Sequence, residues 1–186
     1  MKEIYKLGKF KRGDFYFLSN KRVLFETIRK KDFSECSFCQ IDFSNCNFDF
    51  TSFTCSKCES LTFKNCIFKG VSFRKSEFEN FIFHNCQLID TNFSRSDLMD
   101  FDFINCKLKD VFFCAGELSE IKFENSQLRD VSFSGSLLDN VKIKNSTLEK
   151  IGFEGAEAYK EVSIDGILTG QRIPIEDYAS FLKEIC

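Results

Sequence analysis

The run Phe43-Ser44-Asn45-Cys46-Asn47-Phe48 returns as Phe63-Lys64-Asn65-Cys66-Ile67-Phe68, Phe83-His84-Asn85-Cys86-Gln87-Leu88 and Phe103-Ile104-Asn105-Cys106-Lys107-Leu108. It softens to Phe123-Glu124-Asn125-Ser126-Gln127-Leu128 and Ile143-Lys144-Asn145-Ser146-Thr147-Leu148, always at an interval of 20 residues. Inside that interval lies a period of five. From Phe33 to Phe153 every fifth residue is apolar, and these 25 positions hold 16 Phe, 7 Leu, Ile143 and Cys58. Helices repeat a face every 3.6 residues and strands every second residue, so neither produces a strict five. A short wall with one large inward residue, followed by a corner, does. Four such walls make one 20-residue turn.

Two residues before each inward centre sits a second restricted slot, and along the chain it alternates small with bulky. One opposite pair of walls carries Ile41, Leu61, Phe81, Phe101, Ile121 and Val141, and Thr51, Val71, Thr91, Val111, Val131 and Ile151. The other pair carries Cys, Ser or Gly, because four large groups would not fit one narrow bore. Stacked turns pair backbone to backbone at about 4.8 Å, so roughly six turns give a rod of about 30 Å.

The bulk composition agrees with a single repeated slot. The chain has 186 residues, 25 Phe, no Trp, one Pro and one His, with a net charge of −2. That balance points to neither a nucleic-acid binder nor a charged tail. Met1 to Gly13 is Lys-rich without an apolar run and does not read as a signal peptide. No segment approaches the roughly 18 apolar residues of a membrane helix. Ten cysteines in that setting read as free thiols in a reducing cytoplasm.

The pattern resembles the pentapeptide-repeat family, whose consensus is A-[D/N]-[L/F]-x-x, over Phe33 to about Ala158. Here Cys, Ser and bulky apolar residues replace the family's Ala at the second slot. The resemblance implies an all-β fold, a right-handed quadrilateral β-helix. We divide the chain into an N-terminal cap (1–30), the solenoid (31–158) and a C-terminal cap (159–186). Residues 1–30 carry nine Lys/Arg against three acids and form either strands or a short helix capped by Asn20 with Val23, Leu24 and Ile28 inward. Val162–Ile164 and Ile167–Leu168 read as short strands. From Pro174 the period becomes helical, with Tyr178, Phe181, Leu182 and Ile185 on one face. That face either closes the rod's end or forms a homodimer seam, as C-terminal elements do in family members acting on DNA gyrase.

Several constellations compete with the repeat. Cys36-x-x-Cys39 and Cys55-x-x-Cys58 have zinc-like spacing, but the register turns Cys36 and Cys58 inward and Cys39 and Cys55 outward. We expect no metal. Cys46, Cys66, Cys86 and Cys106 form one inward column of small fillers. Asn45, Asn65, Asn85, Asn105, Asn125 and Asn145 form a ladder bonding to itself and to corner backbone. His84, the single histidine, falls on an outward position. No nucleophile–base pair, phosphate loop or carboxylate dyad is evident, so neither catalysis nor a cofactor is expected.

Charge sorted by wall is uneven. The wall with centres Cys58, Phe78, Leu98, Leu118 and Leu138 displays Glu59, Glu77, Glu79, Asp97, Asp100, Glu117, Glu120 and Asp139 against Lys57 alone. Eight acids over about 24 Å is one per roughly 3 Å, near the roughly 3.4 Å phosphate spacing of a DNA strand. This is either an ordinary solvated face or a strip that occupies a DNA-binding groove on another protein. The family resemblance implies a type II topoisomerase as partner, with the rod as a DNA mimic and no direct contact with nucleic acid. Plasmid-borne quinolone-resistance members carry loops needed for protection, absent here between 33 and 153, and some loop-free relatives inhibit gyrase instead. The alternative is a rigid scaffold for a different protein.

Overall fold

In the computed structural model the described residues are 2–7, 17–160 and 162–168. They build a parallel β-solenoid of about eight turns. Its 18 strands form one sheet that coils on itself. Register is held at 20 residues per turn: Phe78 pairs with Cys58 and Leu98, Phe83 with Phe63 and Phe103, and Val111 with Thr91 and Val131. We name the walls by their centres: A (Phe43, Phe63, Phe83), B (Phe48, Phe68, Leu88), C (Phe53, Phe73, Phe93) and D (Phe38, Cys58, Phe78).

The centres are the core. Phe33, Phe63, Phe83, Phe103 and Phe133 are buried, and rings on one wall stack turn upon turn. Phe83 lies 4.9 Å from Phe63 and 4.8 Å from Phe103, centroid to centroid. Phe73 and Phe93 stack at 4.8 Å with 8° between planes, which puts them on one wall as the period requires. Rings of adjacent walls meet edge to face, as Phe43 and Phe48 do at 71°. Both arrangements suit the aromatic quadrupole.

Corners are made by the residue two places after each centre. From Asn20 to Gly155 every fifth residue has positive φ, the left-handed conformation that turns the chain between walls. Asn, Asp and Gly tolerate it best, which explains the Asn ladder: Asn45, Asn65, Asn85, Asn105, Asn125 and Asn145 are all corners, with φ between 47° and 55°. Asn65 Nδ2 donates to Asn45 Oδ1, and Asn85 Nδ2 to Asn65 Oδ1, each at 3.3 Å.

The small slot does more than fill space. Ser56, Ser76 and Ser96 are buried and donate to the carbonyl oxygens of Phe33, Phe53 and Phe73 at 2.9, 2.8 and 2.7 Å. Cys86 and Cys106 thiols reach the Phe63 and Phe83 carbonyls, both at 3.3 Å. At these positions the slot supplies a hydrogen-bond donor as well as a small volume.

At the N-terminus the strand alternative holds, not the helix. Phe17–Ser19, Lys21–Leu24 and Thr27–Arg29 are strands in register with Ser37–Cys39, Asp42–Ser44 and Asn47–Asp49. Leu18, Val23 and Ile28 are buried centres, and Asn20 is a corner with φ 53°, so it caps no helix. Toward the other end, Glu157–Ala158 keeps the 20-residue register, whereas Val162 pairs with Val141, one residue late. A bulge between Lys144 and Thr147 restores the phase, so the two short strands expected here are one, Val162–Leu168. The helical face with Tyr178, Phe181, Leu182 and Ile185 lies outside the described residues.

Candidate functional site: the acidic wall

Wall D takes its surface from the residues flanking each inward centre. The parallel register stacks them in two columns. One runs Ser37, Lys57, Glu77, Asp97, Glu117 and the other Cys39, Glu59, Glu79, Met99, Ser119. Both columns and the centres Phe38, Cys58, Phe78 and Leu98 line a groove of about 390 Å³. Five of the eight expected acids line it: Glu59, Glu77, Glu79, Asp97 and Glu117.

The other three stand apart. Asp100 and Glu120 are corner residues, with φ 55° and 56°. Asp100 lines a separate hollow beside Asp102 and Lys122. Glu120 accepts from Asn140 Nδ2 at 2.5 Å. Asp139 pairs with Lys160 at 2.9 Å. The continuous eight-acid strip read from the sequence is therefore a five-acid groove with three acids beside it.

Within the groove the charges are poorly compensated. Lys57 bonds to Glu77 at 2.8 Å. The Lys57 pKa is raised, first by the hydrogen bond to Glu77 and its charge, then by Glu79 and Glu59. Among the described residues Glu59, Glu79, Asp97 and Glu117 make no ion pair. On wall B some neighbouring rungs carry opposite charges, as in Arg29–Asp49 at 2.6 Å and Arg129–Glu149 at 3.5 Å, although Lys109 and Arg129 stack as like charges. The rungs holding Lys57, Glu77, Asp97 and Glu117 span about 14 Å, and five acids less one lysine leave roughly one net charge per 3.6 Å.

Two apolar residues of this groove escaped the sequence reading. Met99 is 48% exposed and Phe17 60% exposed. The five-residue phase already turned Met99 outward. Phe17 became legible only once the phase extended below residue 30.

The thiols divide as the register requires. Cys36 and Cys58 are buried, Cys39 is half-buried and Cys55 exposed. Burial, chiefly, pushes the Cys58 thiol up to about 12. Among the described residues no group of three or more His, Cys, Asp or Glu is arranged to hold a metal ion. His84 is half-buried on wall A, where it pairs with Lys64 and Ile104 on the neighbouring rungs.

The pentapeptide-repeat-region family model matches residues 76–153, and the model of eight-copy pentapeptide repeats matches residues 32–70. Among solved structures, QnrB1, described as a plasmid-mediated fluoroquinolone resistance protein, shares 17% identity. The alignment covers 74% of this chain and 82% of that one, with a TM-score of 0.41. HetL, from the cyanobacterium Nostoc sp. strain PCC 7120 and involved in heterocyst differentiation regulation, shares 13% identity over 83% of this chain and 87% of that one, at a TM-score of 0.24. Rfr23, from the cyanobacterium Cyanothece 51142, shares 14% over 82% and 91%, at 0.23. No curated protein matches the sequence.

Proposed function

The chain belongs to the pentapeptide-repeat family, and from that premise we propose that it is a non-enzymatic, cytoplasmic protein-binding solenoid that acts as a DNA mimic. In this reading wall D bears on the basic DNA-binding surface of a type II topoisomerase, DNA gyrase or topoisomerase IV. The observation that carries the reading is the run Glu77, Asp97, Glu117 on consecutive rungs, beside Glu59 and Glu79. Like charges set rung on rung weaken a sheet, so a wall built this way gains from an external cationic surface. Complementary potentials favour fast and selective association.

The test is a supercoiling assay with gyrase, with and without this protein and with and without a quinolone. Altered supercoiling or drug sensitivity at micromolar protein supports the reading. Unchanged activity and unchanged sensitivity remove it. The second reading, a rigid scaffold for another partner, is favoured by the unbroken succession of corners from Asn20 to Gly155, which leaves four walls without a projecting loop between those residues.

A further inference from the structure

We propose that the inward thiol column of wall B is a site for a soft two-coordinate metal ion, held in line between the sulfurs of successive rungs. The site lies inside the bore and is independent of wall D and of whatever wall D contacts.

The column is Cys46, Cys66, Cys86 and Cys106, all buried free thiols on successive turns. Two observations carry the proposal. The first is spacing. The wall B centres Phe48 and Phe68, two residues on from Cys46 and Cys66, stack at 4.8 Å with 4° between planes, which measures the rung repeat on this wall. The thiols keep one orientation along the column. Cys46, Cys66, Cys86 and Cys106 each donate to the carbonyl oxygen two residues back, at 3.4, 3.4, 3.5 and 3.3 Å. Successive sulfurs therefore repeat at the rung spacing, and the groups that act most strongly on the Cys66 thiol are Cys46 and Cys86 on either side of it. That interval is far from the roughly 2.05 Å of a disulfide. A metal–thiolate bond is about 2.3 Å, so an ion midway between two sulfurs spans about 4.6 Å and fits between rungs with little adjustment.

The second observation is the choice of residue. Ser126 continues the same column and reaches the Glu124 and Phe103 carbonyls at 3.0 and 3.1 Å. Cys106 makes the equivalent contacts with Ile104 and Phe83, both at 3.3 Å. Ser56, Ser76 and Ser96 fill the opposite column on wall D with the same bond to a carbonyl. A hydroxyl thus meets the structural needs of this slot. What four consecutive cysteines add is sulfur, the ligand that soft ions prefer.

Among the described residues no group of three or more His, Cys, Asp or Glu is arranged to hold a metal ion, and along a straight column an ion reaches only two sulfurs. The coordination is therefore linear, which suits closed-shell soft ions such as Cu(I), Ag(I) and Hg(II). Charge selects among them. Each thiol releases its proton to solvent as its sulfur binds, so a divalent ion between two thiolates leaves no net charge. A monovalent ion would leave one negative charge in a bore lined by Phe63, Phe68 and Phe83, where an unpaired charge is costly. The column is matched to a divalent ion of the Hg(II) type.

The experiment uses reduced full-length protein carrying Cys39→Ser, Cys55→Ser, Cys114→Ser and Cys186→Ser, which simplifies the thiol count. Mercuric chloride is added while melting temperature and the ultraviolet thiolate-to-mercury band are followed. An ion held by the folded column stabilises the fold, whereas an ion that prefers thiols of the unfolded chain destabilises it. The melting temperature is expected to rise by about 5 °C or more, with one ion taken up per pair of column thiols. Adding Cys66→Ser and Cys86→Ser leaves Cys46 and Cys106 without a thiol on a neighbouring rung and should abolish the rise. Ser126 shows that the slot accepts this change, and the melt without mercury checks it. Adding Cys36→Ser, on wall D, should leave the rise intact. An unchanged or lower melting temperature with mercury, or a rise that survives Cys66→Ser and Cys86→Ser, overturns the proposal.

Discussion

Ser76 Oγ donates a hydrogen bond to the Phe53 carbonyl oxygen at 2.8 Å, 23 residues back, and accepts one from the Ser56 backbone N–H at 3.0 Å. One buried hydroxyl thus ties two successive turns together at two points, and Ser96 repeats the pattern one turn on, at 2.7 and 3.1 Å. Ser76→Ala removes both bonds at a buried site and should cost about 1–3 kcal/mol. Ser76→Cys should cost less, since Cys86 makes the same carbonyl contact on wall B. The shift in urea midpoint at constant slope measures both.

The ring stack on wall A is continuous through Phe83, at 4.9 Å from Phe63 and 4.8 Å from Phe103. Phe83→Ala opens a cavity that two neighbouring rungs cannot close, at a cost of about 3–5 kcal/mol. Phe83→Leu should cost under about 1.5 kcal/mol, because Leu88 succeeds Phe68 at the centre of wall B without loss of register. Chemical unfolding of the pair tests whether the slot demands volume or aromaticity.

Adjacent residues at one corner should respond in opposite directions. Ala115 has φ 55°, a conformation that costs an L-residue about 1–2 kcal/mol, so Ala115→Gly should raise stability by about 1 kcal/mol. At Gly116 an added Cβ would lie 2.4 Å from the Ser96 carbonyl oxygen. Gly116→Ala must therefore shift backbone and should cost about 1–3 kcal/mol. Melting temperatures of the two variants on either side of wild type would verify the corner assignment.

The Cys58 thiol, buried between rungs of wall D, has its pKa raised from 9.0 to about 12, first by burial. The folded state therefore holds this proton more tightly than the unfolded chain does. The stabilisation is complete below pH 9 and is lost as pH rises from about 9 to about 12. Melting temperature should fall over that window, and Cys58→Ala should flatten the fall while lowering stability at neutral pH. An unchanged alkaline slope in the variant would assign the loss to other groups.

The solenoid was legible because one slot is filled by one residue type: Phe33 to Phe153 announces the period without reference to any partner residue. Val23 and Ile28 occupy the same slot, yet they read as a possible helix face, since aliphatic centres and the unlike corners Asn20, Phe25 and Lys30 share no visible signature. The hydrogen bond from Ser76 to Phe53 could not be seen in one dimension, because it joins different walls on successive turns. Charge per wall was legible, but orientation was not. Asp97 and Asp100 are three residues apart, and only the corner between wall D and wall A decides that one lines the groove and the other leaves it.

The central claim is that the uncompensated carboxylates of wall D are the contact face, and charge reversal tests it most directly. Gyrase supercoiling would be titrated with wild type, with Asp97→Lys/Glu117→Lys on wall D, and with Lys107→Glu/Lys109→Glu on wall B, all confirmed folded by circular dichroism. The account predicts that wild type and the wall B variant act alike and that the wall D variant loses its effect by about tenfold or more. An effect that persists in the wall D variant, or disappears equally in both, would contradict it.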